Sequence, residues 1–287
     1  NIEFNNRYIV NEELRTFNPN KSLVFKRSSI KEKQLTEVSF GSKITISKTS
    51  IDTLTNNTLW NNTVLSGFLK TNIDILELKE VVNWFDDVFK PLISPKTNLE
   101  SFVTNHIDSE NIFKKNVIEI LRKADLHIED IRIEEKEEFV PEGVLTILEN
   151  TAVDDEHKKH INSIRQTGKI SMLNLEFVHN FNNELYNLPF DEESHGTQRF
   201  YGLSGILDLL VRTDSFIPID ELESSLHPDL YIHFLLMHLV NTSKSQLIAT
   251  THNREILKDR NLFRDDAIWF ADKQDTGNTF IYSLDHF

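Results

Sequence analysis

A chain of 287 residues with 39% hydrophobic residues and a mean hydropathy of −0.36 is long enough for one large domain or two small ones with ample core. No apolar stretch approaches the roughly 18 residues of a membrane span, no signal peptide opens the chain, and zero cysteines exclude disulfides, thiolate zinc sites and a cysteine nucleophile. The net charge of −14 argues against a broadly basic nucleic-acid wrapper, and the expectation is a soluble cytoplasmic protein with no membrane partner.

Residues 1–50 run against that charge, with nine Lys and Arg against five Asp and Glu. Either a local basic patch or gatekeeper lysines on an exposed strand edge accounts for this. Short apolar runs alternate with polar residues there (Leu23-Val24-Phe25, then Val38, Phe40, Ile44, Ile46), which predicts antiparallel strands and hairpins within a first region, 1–70. Asn56-Asn57 and Asn61-Asn62 read as loops. Ile75, Leu78, Val82, Phe85 and Phe89, then Phe113, Val117, Ile120 and Leu121, recur at helical spacing and predict an inserted helical arm or lid over 71–127, broken at Pro91 and Pro95. Strands are predicted near 128–133, 143–148 and 173–179. Between the last two lies a charged insertion, where His157 and His160 beside Asp154, Asp155 and Glu156 read as a solvated helix face, since no further ligand spacing supports a metal.

From Thr197 the pattern alternates. A helix (Phe200, Leu203, Leu207, Leu210) precedes a strand at 216–220, a helix at 230–240, a strand at 246–250, a helix at 254–259, and strands at 267–271 and 279–283 joined through Asp275-Thr276-Gly277. Apolar strands separated by helices predict an α/β fold, a parallel sheet covered on both faces with the last two strands antiparallel at its edge, forming a catalytic core over 128–287.

Asp220-Glu221 ends the apolar run Phe216-Ile217-Pro218-Ile219. One carboxylate at that place can hold a metal's water shell and the next can polarise an attacking water. An acidic pair alone is as often structural, but this one continues into Leu222-Glu223-Ser224-Ser225-Leu226-His227-Pro228 and a helix. His252 ends the next strand, where its imidazole can reach a γ-phosphate; alone it would be a packed loop histidine. Ser194-His195-Gly196-Thr197 opens a helix, so its hydroxyls and free N–H groups suit both a cap and a phosphate. A G-x-x-x-x-G-K-[ST] cradle is missing: Gly168-Lys169 is followed by Ile170 and has Ser163 at the first glycine position. The chain opens at Asn1 within an apparent strand, so the cradle is expected upstream and the sequence reads as a fragment.

Three stretches carry a family likeness: Glu193–Arg199, the run from Ile219 to Pro228, and the run from Gln246 to Asn253. With 264–273, Glu12-Glu13-Leu14, Leu23-Val24-Phe25-Lys26-Arg27 and 124–128, the chain resembles the ABC-class AAA ATPases of bacterial abortive-infection and phage-defence systems, related to the OLD-like ATPases. The resemblance implies a P-loop NTPase head of the ABC-ATPase type with ATP and Mg²⁺ as cofactors. Asp220 would hold Mg²⁺ through water, Glu221 would be the general base, Ser224 to His227, with Ser224 and Ser225 near nucleotide, would be the D-loop, and His252 the switch histidine. Ser194, Gly196 and Thr197 would be a signature touching the γ-phosphate of the opposite protomer, with His195 where a second glycine is usual. It further implies a head-to-tail homodimer or higher oligomer that controls a toxin or nuclease partner, and a fragment inactive without its cradle. Two alternatives are the ATPase part of a nuclease system, against which the chain has no D-x-D motif, and a non-catalytic nucleotide-gated interaction module, which predicts loss of Glu221 or His252; both are present.

Overall fold

The computed structural model describes residues 1–17, 19–108, 112–124, 126–151, 161–162, 164–258 and 262–287. His157 and His160 and their acidic neighbours lie outside the described residues. The chain divides into two compact units, Asn1–Lys90 and Pro91–Phe287.

In the first unit, β1 (Ile2–Phe4), β2 (Ile9–Phe17), β3 (Lys21–Ile30) and β4 (Leu35–Phe40) form an antiparallel meander in sequence order, as the alternation predicts. Val24, Phe25 and Val38 from the sheet bury against Leu54, Val64, Phe68, Ile75 and Leu78. Those last five come from the stretch holding α1 (Lys48–Asn57), α2 (Val64–Phe68) and α3 (Leu76–Asn83), the last continuing into a π turn, Trp84–Val88. Ser47 and Thr63 cap α1 and α2, each hydroxyl accepting a backbone N–H three residues on. Two charges are buried here. The Glu12 carboxylate accepts from the Val64 N–H at 2.9 Å, and the Arg27 guanidinium donates to the carbonyls of Ile9, Leu59 and Trp60. Burial raises the Glu12 carboxyl and lowers the Arg27 guanidinium from their ordinary values.

The second unit is organised around one helix. Helices α4 (Leu99–Asp108), α5 (Lys114–Lys123) and α6 (Glu142–Thr151) precede α7 (His195–Arg212), whose Phe200, Tyr201, Leu203 and Leu207 are fully buried; α8 (Pro228–Asn241) follows. Helix α4 lies so close to α7 that a Cβ on Gly202 would stand 2.5 Å from the Leu99 Cβ, and one on Gly205 2.3 Å from a Val103 methyl. Helix α5 is tied to α7 by Asp208, which is 1% exposed. Its two oxygens accept from the Phe113 N–H (3.0 Å), the Asn116 amide (2.7 Å) and the Arg212 guanidinium (2.8 and 3.0 Å). This caps the start of α5 with a carboxylate from another helix.

Three sheets accompany these helices. β5 (Ile128–Phe139), β6 (Lys169–Phe181) and β7 (Glu184–Pro189) form an antiparallel one; β8 (Phe216–Ile219) and β9 (Gln246–Ala249) pair in parallel; and β10 (Trp269–Lys273) with β11 (Thr279–Ser283) make a hairpin. Ile93 adds a single parallel bridge to Ile219.

Several expectations change. The predicted 71–127 arm is divided at Lys90/Pro91, and α4 and α5 enter the core of the second unit, because Leu99, Val103, Val117 and Leu121 bury beneath α7. Residues 143–148 are helix: the run Val144-Leu145-Thr146-Ile147-Leu148 lacks strand alternation and follows Pro141, which suits a helix start. The parallel sheet is two strands and one bridge rather than a broad layer. β10 and β11 pair antiparallel as expected, with Gly277 at φ +83° in the turn, but as a separate hairpin and not at the sheet's edge. Neither parallel strand is buried on both faces: Phe216 and Pro218 of β8 are half-buried, and Gln246 and Ile248 of β9 are exposed. Residues 254–257 form a 3₁₀ turn instead of an α-helix.

Candidate nucleotide site

Strand β8 is anchored by Ile217 and Ile219, 2% and 1% exposed, so the chain emerges from the core at Asp220. Parallel register sets Ile219 against Ala249, which brings Thr250 level with the acidic pair. The Thr250 hydroxyl donates to Asp220 Oδ1 at 2.6 Å and accepts from the Glu221 N–H at 2.9 Å. On its other flank, the Asp220 N–H donates to the Ile93 carbonyl at 2.8 Å. One hydroxyl thus fixes the first carboxylate and the backbone of the second.

Glu221 sits at φ +48°, in the left-handed region that side-chain-bearing residues seldom adopt. That conformation turns the chain at once, and fully buried Leu222 pins the turn through its N–H to the Thr250 carbonyl at 3.1 Å. A second left-handed residue, Ser225 at φ +66°, leads to His227, whose Nδ1 caps α8, with Pro228 at its first position. Glu223 reaches back across the turn, where one oxygen accepts from the His252 N–H at 2.6 Å and the other is buried without a partner among the described residues. The His252 ring is exposed, with Nε2 3.7 Å from Glu221 Oε1. Under this loop, buried Tyr231 hydrogen-bonds Thr251, and burial raises its phenol above the ordinary value.

The third predicted element meets the first. Ser194 caps α7, its hydroxyl accepting from the Thr197 N–H at 3.1 Å and lying 2.9 Å from the Thr197 hydroxyl. A Cβ on Gly196 would stand 3.2 Å from the Ser225 carbonyl, so the start of α7 abuts the turn after Asp220-Glu221 within one chain. Just before the cap, the Glu193 carboxylate pairs with His179 of β6 at 2.5 Å, both side chains largely buried. Asp220, Glu221, Ser225, Gly196 and His252 therefore belong to one constellation. Thr250 and Glu223 are further members to which the sequence motifs assign no role, while His179 touches the cap region only through Glu193. For Thr250 the signal was available, because two parallel strands ending together place residue 250 beside residue 220.

The donor set bears on the metal. Among the described residues no three His, Cys, Asp or Glu side chains converge on a point. Asp220 and Glu221 supply two carboxylates at this strand end, and Mg²⁺ is held by one or two carboxylates together with substrate phosphates and water.

The sequence profile described as "AAA domain, putative AbiEii toxin, Type IV TA system" matches residues 8–258, and the chain belongs to that family. It is an AAA-type ATPase domain of the P-loop NTPase class, a class that binds nucleotide, usually with Mg²⁺. No curated protein sequence matches it. A solved structure from work on the structural biochemistry of ATP-driven dimerisation and DNA-stimulated activation of SMC ATPases is similar at 12% identity and a TM-score of 0.37, over 63% of this chain and 88% of that one. Among the described residues no helix is long and apolar enough to cross a membrane.

Proposed function

We propose that this chain binds and hydrolyses ATP in a head-to-tail dimer of the ABC type, and that the cycle controls a partner toxin or nuclease in phage defence. The observation that carries the chemistry is the Thr250 hydroxyl, which holds Asp220 and the backbone of Glu221 together at the end of β8. Asp220 keeps its second oxygen for the water shell of Mg²⁺, and the ion would supply charge neutralisation on the phosphates. Glu221 orients the attacking water and takes its proton. His252, on the strand end beside it, senses the γ-phosphate. Ser194, Gly196 and Thr197 present N–H groups and hydroxyls at the start of α7 to the nucleotide of the opposite protomer, with Ser224 and Ser225 in the adjoining turn. The toxin–antitoxin wording of the family description supports the setting.

The test is Glu221→Gln in a form of the protein that hydrolyses ATP. Turnover should fall on the order of a hundredfold or more, the range for removing a general base, while Mg²⁺-dependent ATP binding persists. Hydrolysis within a few-fold of wild type would remove Glu221 from the role.

A further inference from the structure

In the four-stranded meander, the β1–β2 turn and the β3–β4 turn fall at the same end of the sheet, because alternate hairpins of an antiparallel meander do. Together with Trp60 they line an open cleft of about 560 Å³, within the ~300–1,000 Å³ range of ligand pockets. Its wall is aromatic: Tyr8 and Trp60 stack with ring centroids 5.0 Å apart and planes 17° from parallel. Its rim is cationic. Arg7 and Lys31 line it, both are exposed, and neither side chain has a carboxylate partner among the described residues. The amides of Asn5, Asn6 and Gln34 complete it.

The cleft is held in shape from beneath. The Trp60 carbonyl accepts from buried Arg27 at 2.7 Å and from the Ile9 N–H at 3.2 Å, which fixes the indole's backbone to the sheet. Asn5 Oδ1 accepts from the N–H groups of Arg7 and Tyr8 at 2.9 and 3.1 Å, which fixes the β1–β2 turn. A cation on each of two turns, amide donors and acceptors between them, and a flat π surface are the parts that recognise a base with its phosphate. Arg7 and Lys31 are two of the nine cations in the basic residues 1–50.

We propose that this cleft binds a nucleobase stacked at Trp60 with an adjacent phosphate held by Arg7 and Lys31. The same chemistry can come from single-stranded nucleic acid or from a free mononucleotide. It is formed by residues of the first unit alone and needs no Mg²⁺.

The test uses the chain as it stands, without Mg²⁺, and fluorescence anisotropy of a labelled oligothymidylate of about 15 nucleotides, enough to span one such platform. An abasic oligomer with the same number of phosphates and adenosine monophosphate serve as competitors. The abasic strand should compete at least tenfold less well. The double variant Arg7→Glu/Lys31→Glu should bind the oligomer at least tenfold more weakly, with a salt slope lower by about 0.7 for the one lost phosphate contact, and an unchanged melting temperature. Competition by adenosine monophosphate at matched phosphate concentration assigns the cleft to free nucleotides, and failure to compete assigns it to a strand. Binding of neither probe, equal competition by the abasic strand, or an unaltered double variant overturns the proposal.

Discussion

Asp208→Asn isolates the contact that seats α5 on the central helix. The substitution keeps shape and removes one charge. Four donors converge on the two carboxylate oxygens, with Asn116 and Arg212 Nε on one and the Phe113 N–H and Arg212 Nη2 on the other. An asparagine offers a single oxygen, so either flip sets its NH₂ against donors. Breaking a buried ion pair from one side costs ~3–5 kcal/mol, and the lower end applies because the Arg212 side chain is 24% exposed and regains some water. A loss of about 3 kcal/mol corresponds to a fall of roughly 6–12 °C in a unit of this size. Differential scanning calorimetry of the whole chain reads the shift, and hydrogen exchange of peptides from residues 113–123 locates it. A shift below about 2 °C, or unchanged protection at the start of α5, would refute the assignment of Asp208 as the cap of that helix.

Thr250→Val, which keeps the shape and deletes the hydroxyl, should lower ATP turnover about tenfold, since a hydrogen bond to a charged group is worth ~1.5 kcal/mol or more; turnover unchanged in a steady-state assay would show that the acidic pair needs no such clamp. His195→Asp places a carboxylate at the exposed first residue of α7, where it favours the helix, yet on a Glu221→Gln background it should weaken ATP-dependent dimerisation by about three decades if that face meets a γ-phosphate, from ~4 kcal/mol between like charges at 4 Å. Light scattering with ATP decides this, and equal dimer formation would leave the motif as a helix cap. Burial lowers the pKa of His238, whose Nδ1 is buried without a partner among the described residues. The unfolded chain therefore takes up this proton first as pH falls below about 6.5, and stability drops in that window. His238→Gln should flatten the fall measured by urea titration between about pH 7.5 and 5.5, whereas an identical slope would place the acid sensitivity elsewhere.

Much of the second unit was legible from its ends inward. Asp220-Glu221 and His252 could be placed because short apolar strands point their carboxyl ends the same way when helices connect them, and the register bears this out. The helices of 76–123 were legible as helices, but not their partners: a 3.6-residue period tells which face is apolar and says nothing of what covers it. Close approach at Gly202 and Gly205 decided that, through glycines lost within an ordinary helical pattern. The run at 143–148 was misread because a continuous apolar stretch has no period to separate strand from helix. The long β5–β6 ladder was foreseen only as two short strands, since the acidic residues of 134–138 look like a loop until they pair across to Lys169 and Ser171.

The left-handed backbone of Glu221 sets two selective demands against each other. Asparagine and glycine adopt φ near +50° with less cost than glutamate, so the folded chain would be more stable with a residue that lacks the carboxylate proposed as general base. Repair of that strain and loss of chemistry would occur in the same codon. A screen that rewards only thermal stability is thus biased toward erasing this position, and a stabilised variant of this protein should be sequenced at residue 221 before its silence toward ATP is read as a property of the fold.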